Sequence, residues 1–167
     1  VKVPKGAKYF DDGGTAHETP KATLAYFTPI GDIRLLDLDS DAIISAAIKD
    51  RISSFAYAQR AKVWAVTDTV LNHIIWFYPE SGQTECTAAI AWNYQLGTMH
   101  YWGGLNFAHG CEVETSTAAQ LMLMGVAGVA TGAFVYEWKD GTTFDGTNIT
   151  HTLMLKALWI RDRNGQP

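Results

Sequence analysis

The chain has 167 residues, of which 47% are hydrophobic, 12% aromatic and 18% charged. This composition excludes a disordered chain, and the length suffices for one buried domain or for a few blades of a larger one. The net charge is −4 without any cluster of Lys or Arg, which disfavours nucleic-acid binding as the main activity.

The first part of the chain predicts an arm, a hairpin and a connector. Residues 1–22 are polar and rich in glycine, and we interpret them as an extended arm or an edge. Residues 23–60 form the next predicted unit, a hairpin followed by a connector helix. The hairpin lies within 23–37, where apolar runs flank a turn at Thr28–Gly31.

A short helix is predicted over about residues 40–52. Asp39 or Ser40 suits its N-cap, and Asp41 suits its first turn, where the helix dipole favours a carboxylate. A stripe of apolar residues follows at 3.6-residue spacing, formed by Ile44, Ala47, Ile48 and Ile52. We interpret this helix as a connector that packs on a sheet.

Residues 61–103 predict one four-stranded antiparallel meander, equivalent to a propeller blade. Short links of hairpin size separate the runs of strand length, which are 63–70, 74–78, 88–94 and 98–102. In the third run Ile90, Trp92 and Tyr94 share one face, and smaller residues share the other. A sheet with one bulky and one small-residue face stacks closely on its neighbours, as propeller blades do.

Residues 104–162 predict a second, less regular β unit, followed by a polar tail at 163–167. The unit opens with a loop-rich segment through His109–Cys111. It closes with a hairpin formed by Ala133–Lys139 and Ile149–Trp159 around Asp-Gly turns. The predicted fold class is therefore mainly β, with antiparallel four-stranded meanders in a partial propeller-like arrangement and one short helix.

One aromatic phrase occurs in three copies, with two rings one residue apart followed by a polar turn closed by glycine. The copies span Trp76–Gly82, Trp92–Gly97 and Tyr136–Gly141, and the last two begin 44 residues apart. That spacing falls within the ~40–45 residues of one propeller blade. We predict structural roles for these rings and glycines and for two further tryptophans: Trp64, Trp76, Tyr78, Gly82, Trp92, Tyr94, Gly97, Trp102, Tyr136, Trp138 and Gly141.

A catalytic pattern is present at the end of the apolar run that starts at Ile33. The run ends in Asp37-Leu38-Asp39, and haloacid-dehalogenase-like phosphatases begin with such an apolar strand followed by Asp-x-Asp. In those enzymes the first Asp attacks phosphate near Mg²⁺. That fold needs alternating strands and helices, which this chain does not predict. We interpret the carboxylates as an acidic helix N-terminus, and we predict neither catalytic residues nor a cofactor.

Candidate metal ligands are scattered through the chain. No His-Glu-x-x-His or Cys-x-x-Cys spacing relates His73, His100, His109 and Cys111. The EF-hand spacing is not met by Asp140, Asp145 and Asn148, and Asp-Gly pairs are common in hairpin turns. No metal site is predicted.

The cysteines and the apolar stretches indicate the cellular compartment in which the chain folds and whether it could span a membrane. Cys86 and Cys111 are predicted to be free thiols from a reducing compartment, because a single pair does not make a disulfide scaffold. The most apolar stretch, Leu121–Phe134, is shorter than the ~20 residues of a membrane span, and no signal peptide is visible. Val1 and the polar run before Pro167 lead us to expect a segment of a larger polypeptide.

A longer motif contains the first two aromatic phrases. It consists of Lys62-Val-Trp-Ala-Val-Thr-Asp, Asn72-His-Ile-Ile-Trp-Phe-Tyr-Pro, Ala91-Trp-Asn-Tyr-Gln-Leu-Gly and a closing Trp102. This motif resembles the tail-hub, nozzle and packaged-DNA-stabilisation proteins of short-tailed bacteriophages, and residues 136–149 resemble the next hairpin of that family. The likeness covers roughly residues 55–160. His73 departs from the family pattern, which prefers Glu.

The resemblance implies a function, a location and partners. Members of that family are largely β-propeller-like and assemble as rings, often hexameric, below the portal. The resemblance therefore implies a non-enzymatic virion protein of the tail hub, nozzle or head-to-tail connector, which retains and channels packaged DNA. It implies contacts with copies of itself and with portal, adaptor or other tail proteins, passing contact with DNA, and assembly in the host cytoplasm.

A carbohydrate-binding β-module for host-surface recognition is the alternative function. Exposed pairs of Trp and Tyr on a sheet face stack on sugar rings. Burial in a core competes with that use, because burying one ring stabilises a fold by ~1.5–3 kcal/mol. We expect Trp76, Trp92 and Trp138 to lie in the core.

Overall fold

The computed structural model describes residues 1–36, 41–114, 119–125, 135–137, 143–144 and 147–148. In these ranges the strands are β1 Lys2–Val3, β2 Lys8–Phe10, β3 Ala16–Glu18, β4 Thr23–Phe27, β5 Ile33–Leu36, β6 Asp41–Ile43, β7 Trp64–Asp68, β8 His73–Tyr78, β9 Ala88–Asn93, β10 Thr98–Gly103, β11 Phe107–Glu114, β12 Ala119–Gly125, β13 Val135–Glu137, β14 Thr143–Phe144 and β15 Thr147–Asn148. Helical residues between β6 and β7 form a 3₁₀ turn at Ala46–Ile48, helix α1 at Lys49–Ile52 and a second 3₁₀ segment at Tyr57–Lys62.

Three of the antiparallel sheets stack face to face. The first sheet has the order β1-β4-β5-β6, the central sheet β10-β9-β8-β7 and the third sheet β11-β12-β13, while β2–β3 and β14–β15 are separate hairpins. One apolar core lies between the first and central sheets, and a second lies between the central and third sheets. The prediction of a mainly β fold with antiparallel meanders and one short helix is confirmed. The propeller-like arrangement stays a prediction.

The central sheet is the predicted meander, and its strands begin and end within two residues of the predicted runs. Side chains of β8 alternate between the two cores. Ile74, Trp76 and Tyr78 lie in the first core, whereas Ile75 and Phe77 lie in the second. A strand that is apolar at nearly every position is typical of a sheet covered on both faces.

The first sheet contains the predicted hairpin, but the predicted helix begins later than expected. β4 and β5 pair directly, and Gly31 supplies the positive φ of 92° that their turn requires. Asp41 lies in β6 opposite Leu36 and forms an ion pair with Arg34 at 2.7 Å, so it is not in a helical turn. The β-branched Ile43 also favours this short strand, and α1 starts only at Lys49. The predicted caps Asp39 and Ser40 lie outside the described residues.

Residues 1–22 lie against the sheets and supply an edge strand of the first sheet, which corresponds to the edge and not to the extended arm of the two predicted alternatives. β1 pairs with β4 as an edge strand, and Val3 is fully buried in the first core. The β2–β3 hairpin contacts the end of β9. There the Lys8 N–H donates to the Tyr94 carbonyl at 2.7 Å, and the Trp92 indole N–H donates to the Lys8 carbonyl at 3.1 Å. These backbone partners are distant in the chain, and its polar composition does not reveal them.

The third sheet replaces the loop predicted through His109–Cys111, which lies within β11 and pairs with β12. Gly110 permits this close packing, because a Cβ there would lie 2.6 Å from Leu123 Cδ2. β13, from the predicted closing hairpin, pairs with β12. The return strand predicted at 149–159 and the tail at 163–167 lie outside the described residues.

Gly97→Ala is predicted to destabilise the chain more than Gly82→Ala. Both glycines have positive φ, 76° and 82°, so the left-handed backbone costs about 1 kcal/mol in either variant. At Gly97 a new Cβ would also lie 3.2 Å from the Phe10 ring and 3.3 Å from the Lys8 carbonyl, whereas Gly82 faces open space. We expect the free energy of unfolding in urea to fall roughly twice as far for Gly97→Ala. Equal losses would contradict the contact between β2 and the central sheet.

Candidate functional site

Rings from the first two aromatic phrases form the core between the first and central sheets. Trp76, Tyr78 and Trp92 are 2%, 0% and 0% exposed. Two of them have hydrogen-bond partners: the Trp92 indole N–H donates to the Lys8 carbonyl, and the Tyr78 hydroxyl donates to the Arg51 carbonyl at 3.4 Å. These three rings therefore leave no free face on which a sugar or a base could stack.

The strand ends of these phrases are organised by glycine and by one asparagine. Gly82 and Gly97 lie in the turns after β8 and β9 with positive φ, the conformation that favours glycine. Tyr94 is half-buried and contacts the Trp92 ring edge-on, with centroids 6.4 Å apart. Asn93, which sequence reasoning missed, accepts two backbone N–H bonds of the second turn on its Oδ1 at 3.1 and 3.0 Å. An Asn followed by a polar turn is the signal that points to this role.

Trp64 and Trp102 line the margin of the second core, and both are half-buried. Trp64 of β7 stacks on Phe77 with centroids 4.1 Å apart and an interplanar angle of 9°. It also meets His109 of the third sheet edge-on at 5.4 Å. Trp102 of β10 contacts the ring of His73 at 6.0 Å. Trp64 thus ties the central sheet to the third sheet, whereas the contact between Trp102 and His73 lies within the central sheet.

The third aromatic phrase is described only in part. Tyr136 lies in β13 opposite Leu123 of β12, and so belongs to the third sheet. Trp138 and Gly141 lie outside the described residues. The equivalence of this phrase to the one at Trp92 stays a prediction.

A polar cluster joins the ends of β8 and β10 to α1, and we call it the Tyr101 cluster. The Tyr101 hydroxyl donates to the Glu80 carboxylate at 2.8 Å, and the Arg51 guanidinium lies 5.3 Å from the centre of the Tyr101 ring. Glu80 also accepts a bond from the Thr87 hydroxyl at 3.3 Å. Burial, followed by the bond to Glu80, raises the pKa of Tyr101 to about 12. Sequence reasoning missed this cluster because its members are far apart in the chain.

The larger of two open clefts, about 580 Å³, lies between the first sheet and β7. Among the described residues around it, Arg60 is the one charged side chain, and none carries a carboxylate, imidazole or thiol. The titratable groups of the lining are therefore the Val1 amino group, the Tyr26 hydroxyl and the Arg60 guanidinium. Its aromatic residues are Tyr26, Phe27, Phe55, Trp64 and Trp76.

Cys86 and Cys111 are free thiols in different surroundings. Cys86 is buried beside a second cleft of about 340 Å³, and its thiol donates to the Lys62 carbonyl at 3.3 Å. Burial, followed by the nearby Glu85 charge, raises the pKa of Cys86 to about 11. The thiol is therefore protonated at neutral pH and is a poor nucleophile. Cys111 is exposed on β11.

Residues considered for metal or phosphate chemistry are not gathered into a site in the described ranges. Asp41 accepts from the Arg34 guanidinium and from the Tyr26 hydroxyl, at 2.7 and 3.1 Å. No group of three His, Cys, Asp or Glu side chains that could hold a metal ion occurs among the described residues. His73 and His100 touch edge-on with centroids 6.0 Å apart. The remaining candidates outside the described residues are Asp37, Asp39, Asp140 and Asp145.

Comparisons with known proteins identify no relative of this chain. No family model, curated protein or solved structure matches it. In the part of the chain that the structure describes, no helix is long and apolar enough to cross a membrane. The described molecule is therefore defined by its architecture, a stack of antiparallel sheets with two aromatic-rich cores.

Alkaline pH is predicted to destabilise the fold through Tyr101. The pKa of Tyr101 is raised from 10.0 to about 12 in the folded chain, so folding favours the neutral hydroxyl. Its stabilising effect is complete below the unfolded pKa and is lost as pH rises from about 10 towards 12. We expect Tyr101→Phe to lose less thermal stability than the wild type over this range, measured by circular dichroism. The exposed Tyr57→Phe serves as control, and identical profiles for all three proteins would contradict the prediction.

Thiol labelling is predicted to separate the two cysteines. Exposed Cys111 should react with a thiol reagent at mildly alkaline pH, whereas Cys86 should react only after unfolding, because its thiol is buried and its pKa is raised to about 11. Cys111→Ser should abolish the fast reaction in a colorimetric thiol assay. A fast reaction that persists in this variant would show that Cys86 is accessible.

Proposed function

We propose that this chain is a non-enzymatic structural module of a tailed-bacteriophage tail, in the hub, nozzle or head-to-tail connector. The residues that resemble this family, from Lys62 to Trp102, include the central sheet except for its last residue, Gly103. Within that sheet the two aromatic phrases contribute to one shared core. The motif and the folded unit thus coincide, which supports the proposal.

The burial of the central sheet on both faces is the observation that carries the proposal. Antiparallel sheets that stack face to face are the packing on which propeller blades rely. Such a stack places its rings in the cores and leaves outer faces and edge strands for contact with other subunits. A module of this kind acts through its surfaces, and we therefore propose a mechanical role without a catalytic step or a cofactor.

In the proposed assembly, copies of the chain form a ring such as a hexamer within the virion tail, after assembly in the host cytoplasm. The ring contacts the portal, an adaptor or other tail proteins, holds packaged DNA and provides its exit channel. The net charge of −4 suits passing contact with DNA, because like charges oppose adhesion of the duplex to the channel wall.

A carbohydrate-binding module is the second candidate, and the larger cleft favours it. Aromatic rings surround Arg60 there, and such rings stack on sugars. Trp76 is only 2% exposed, and the Tyr26 hydroxyl is bonded to Asp41 on the other face of the first sheet, so a bound sugar would rest mainly on Trp64. This candidate predicts binding that depends on Trp64.

The proposal is tested by measuring the molecular mass of the purified chain in solution and by electron microscopy. Both measurements are made on the chain alone and on its mixture with the portal protein encoded in the same genome. We expect closed rings and co-purification with the portal. A chain that stays monomeric at every concentration and does not bind the portal contradicts the proposal. Glycan-array binding that is lost in Trp64→Ala, but kept in the exposed-ring control Tyr57→Ala, would favour the second candidate.

A further inference from the structure

The outer face of the first sheet stays exposed among the described residues. One row crosses all four of its strands, each residue directly opposite the next: Lys2, Leu24, Leu36 and Asp41. Directly opposed residues of antiparallel strands point to the same side of a sheet. All four are exposed, with Leu24 at 52% and Leu36 at 47%. The row therefore presents two leucines between a cation and an anion.

A second row on this face fixes the anion. It consists of Tyr26, Arg34 and Ile43. The Tyr26 hydroxyl and the Arg34 guanidinium both bond to the Asp41 carboxylate, at 3.1 and 2.7 Å. The carboxylate is thus held at the β6 margin, opposite the ammonium of Lys2 at the β1 margin.

Two copies of this face are complementary in charge when one two-fold rotation relates them. An axis parallel to the strands, midway between β4 and β5, places β1 of one copy over β6 of the other and β4 over β5. Leu24 of each copy then meets Leu36 of the other, and Lys2 meets Asp41 at both margins. Tyr26 meets Arg34, which is a favourable cation–ring pairing.

An in-plane two-fold axis that runs along this row, perpendicular to the strands, is disfavoured by charge. It places Lys2 over Lys2 and Asp41 over Asp41, and like charges that face each other across an interface are destabilising. We propose that two copies of this chain pair through the outer face of the first sheet, about the axis parallel to its strands. The leucines form the centre of this contact, and the Lys2–Asp41 pairs form its margins.

The contact is small, and we expect weak and reversible pairing. The outermost strands lie about 14 Å apart, three inter-strand spacings of ~4.8 Å, so the face offers about a few hundred Å². A stable complex buries ~800 Å² per partner. Pairing becomes strong only at high concentration or where many copies are held together. It requires no ring, so the inference stands independently of the proposed function.

Sedimentation equilibrium over a concentration series tests the pairing. We expect the wild-type chain to dimerise, and Leu24→Glu to weaken dimerisation about tenfold or more, because a charge enters the centre of the contact. Leu96→Glu is the matched control, since Leu96 is 65% exposed in the turn between β9 and β10. Unchanged dimerisation of Leu24→Glu overturns the inference. Unfolding of this variant at all concentrations also overturns it, because the face would then be covered within the chain.

Mixing two charge variants tests the two-fold geometry. Lys2→Glu and Asp41→Lys should each weaken self-pairing, because each places like charges at both margins. An equimolar mixture of the two variants should restore pairing, since the mixed dimer again has opposite charges at both margins. A mixture no tighter than its components overturns the inference. If both variants still form rings but do not pair, the proposed function stands and this inference fails. If the chain pairs but neither forms rings nor binds the portal, this inference stands and the proposed function fails.

Discussion

Apolar residues on both sides of β8 are the constraint on which the rest of the structure depends. Ile74, Trp76 and Tyr78 lie on one side of this strand, and Ile75 and Phe77 lie on the other. Burial stabilises a fold by ~25 cal/mol per Å² of apolar surface, so an uncovered face of this strand costs several kcal/mol. The chain covers one face with a sheet that precedes the meander and the other with a sheet that follows it. Three layers are therefore a consequence of one strand.

The two faces of β9 decide how closely these layers approach. Trp92 projects into the first core, and its indole N–H needs the backbone partner that Lys8 provides. On the other face Ala89 and Ala91 are small, so the third sheet lies close. Gly110 of β11 continues this close fit, because a Cβ there would lie 3.3 Å from the Trp64 ring of the central sheet. With these large rings buried, the surfaces that stay open among the described residues include the outer face of the first sheet and the larger cleft.

Local patterns in the chain predict the meander well but fail where distant partners decide the structure. Alternation in the runs around Trp76 and Trp92, with hairpin-sized links, is enough to place all strands of the central sheet. The local sequence predicts Asp41 at the start of a helix, but in the structure Asp41 lies in a strand and bonds to Arg34 and Tyr26. The same limit applies to the Tyr101 cluster, since no local pattern relates Tyr101 to its distant partners.

The sequence by itself determines the strand positions of the central sheet, the turn glycines and the division of β9 into a bulky and a small face. These features depend on residues two to four positions apart, whose geometry is set by the backbone. Only the tertiary structure decides which sheet covers which face, where Glu80 finds Tyr101, and that Lys2 and Asp41 lie at the two ends of one exposed row. Those relations join residues that are far apart in the chain, and chain folding brings them together through packing that no short pattern encodes.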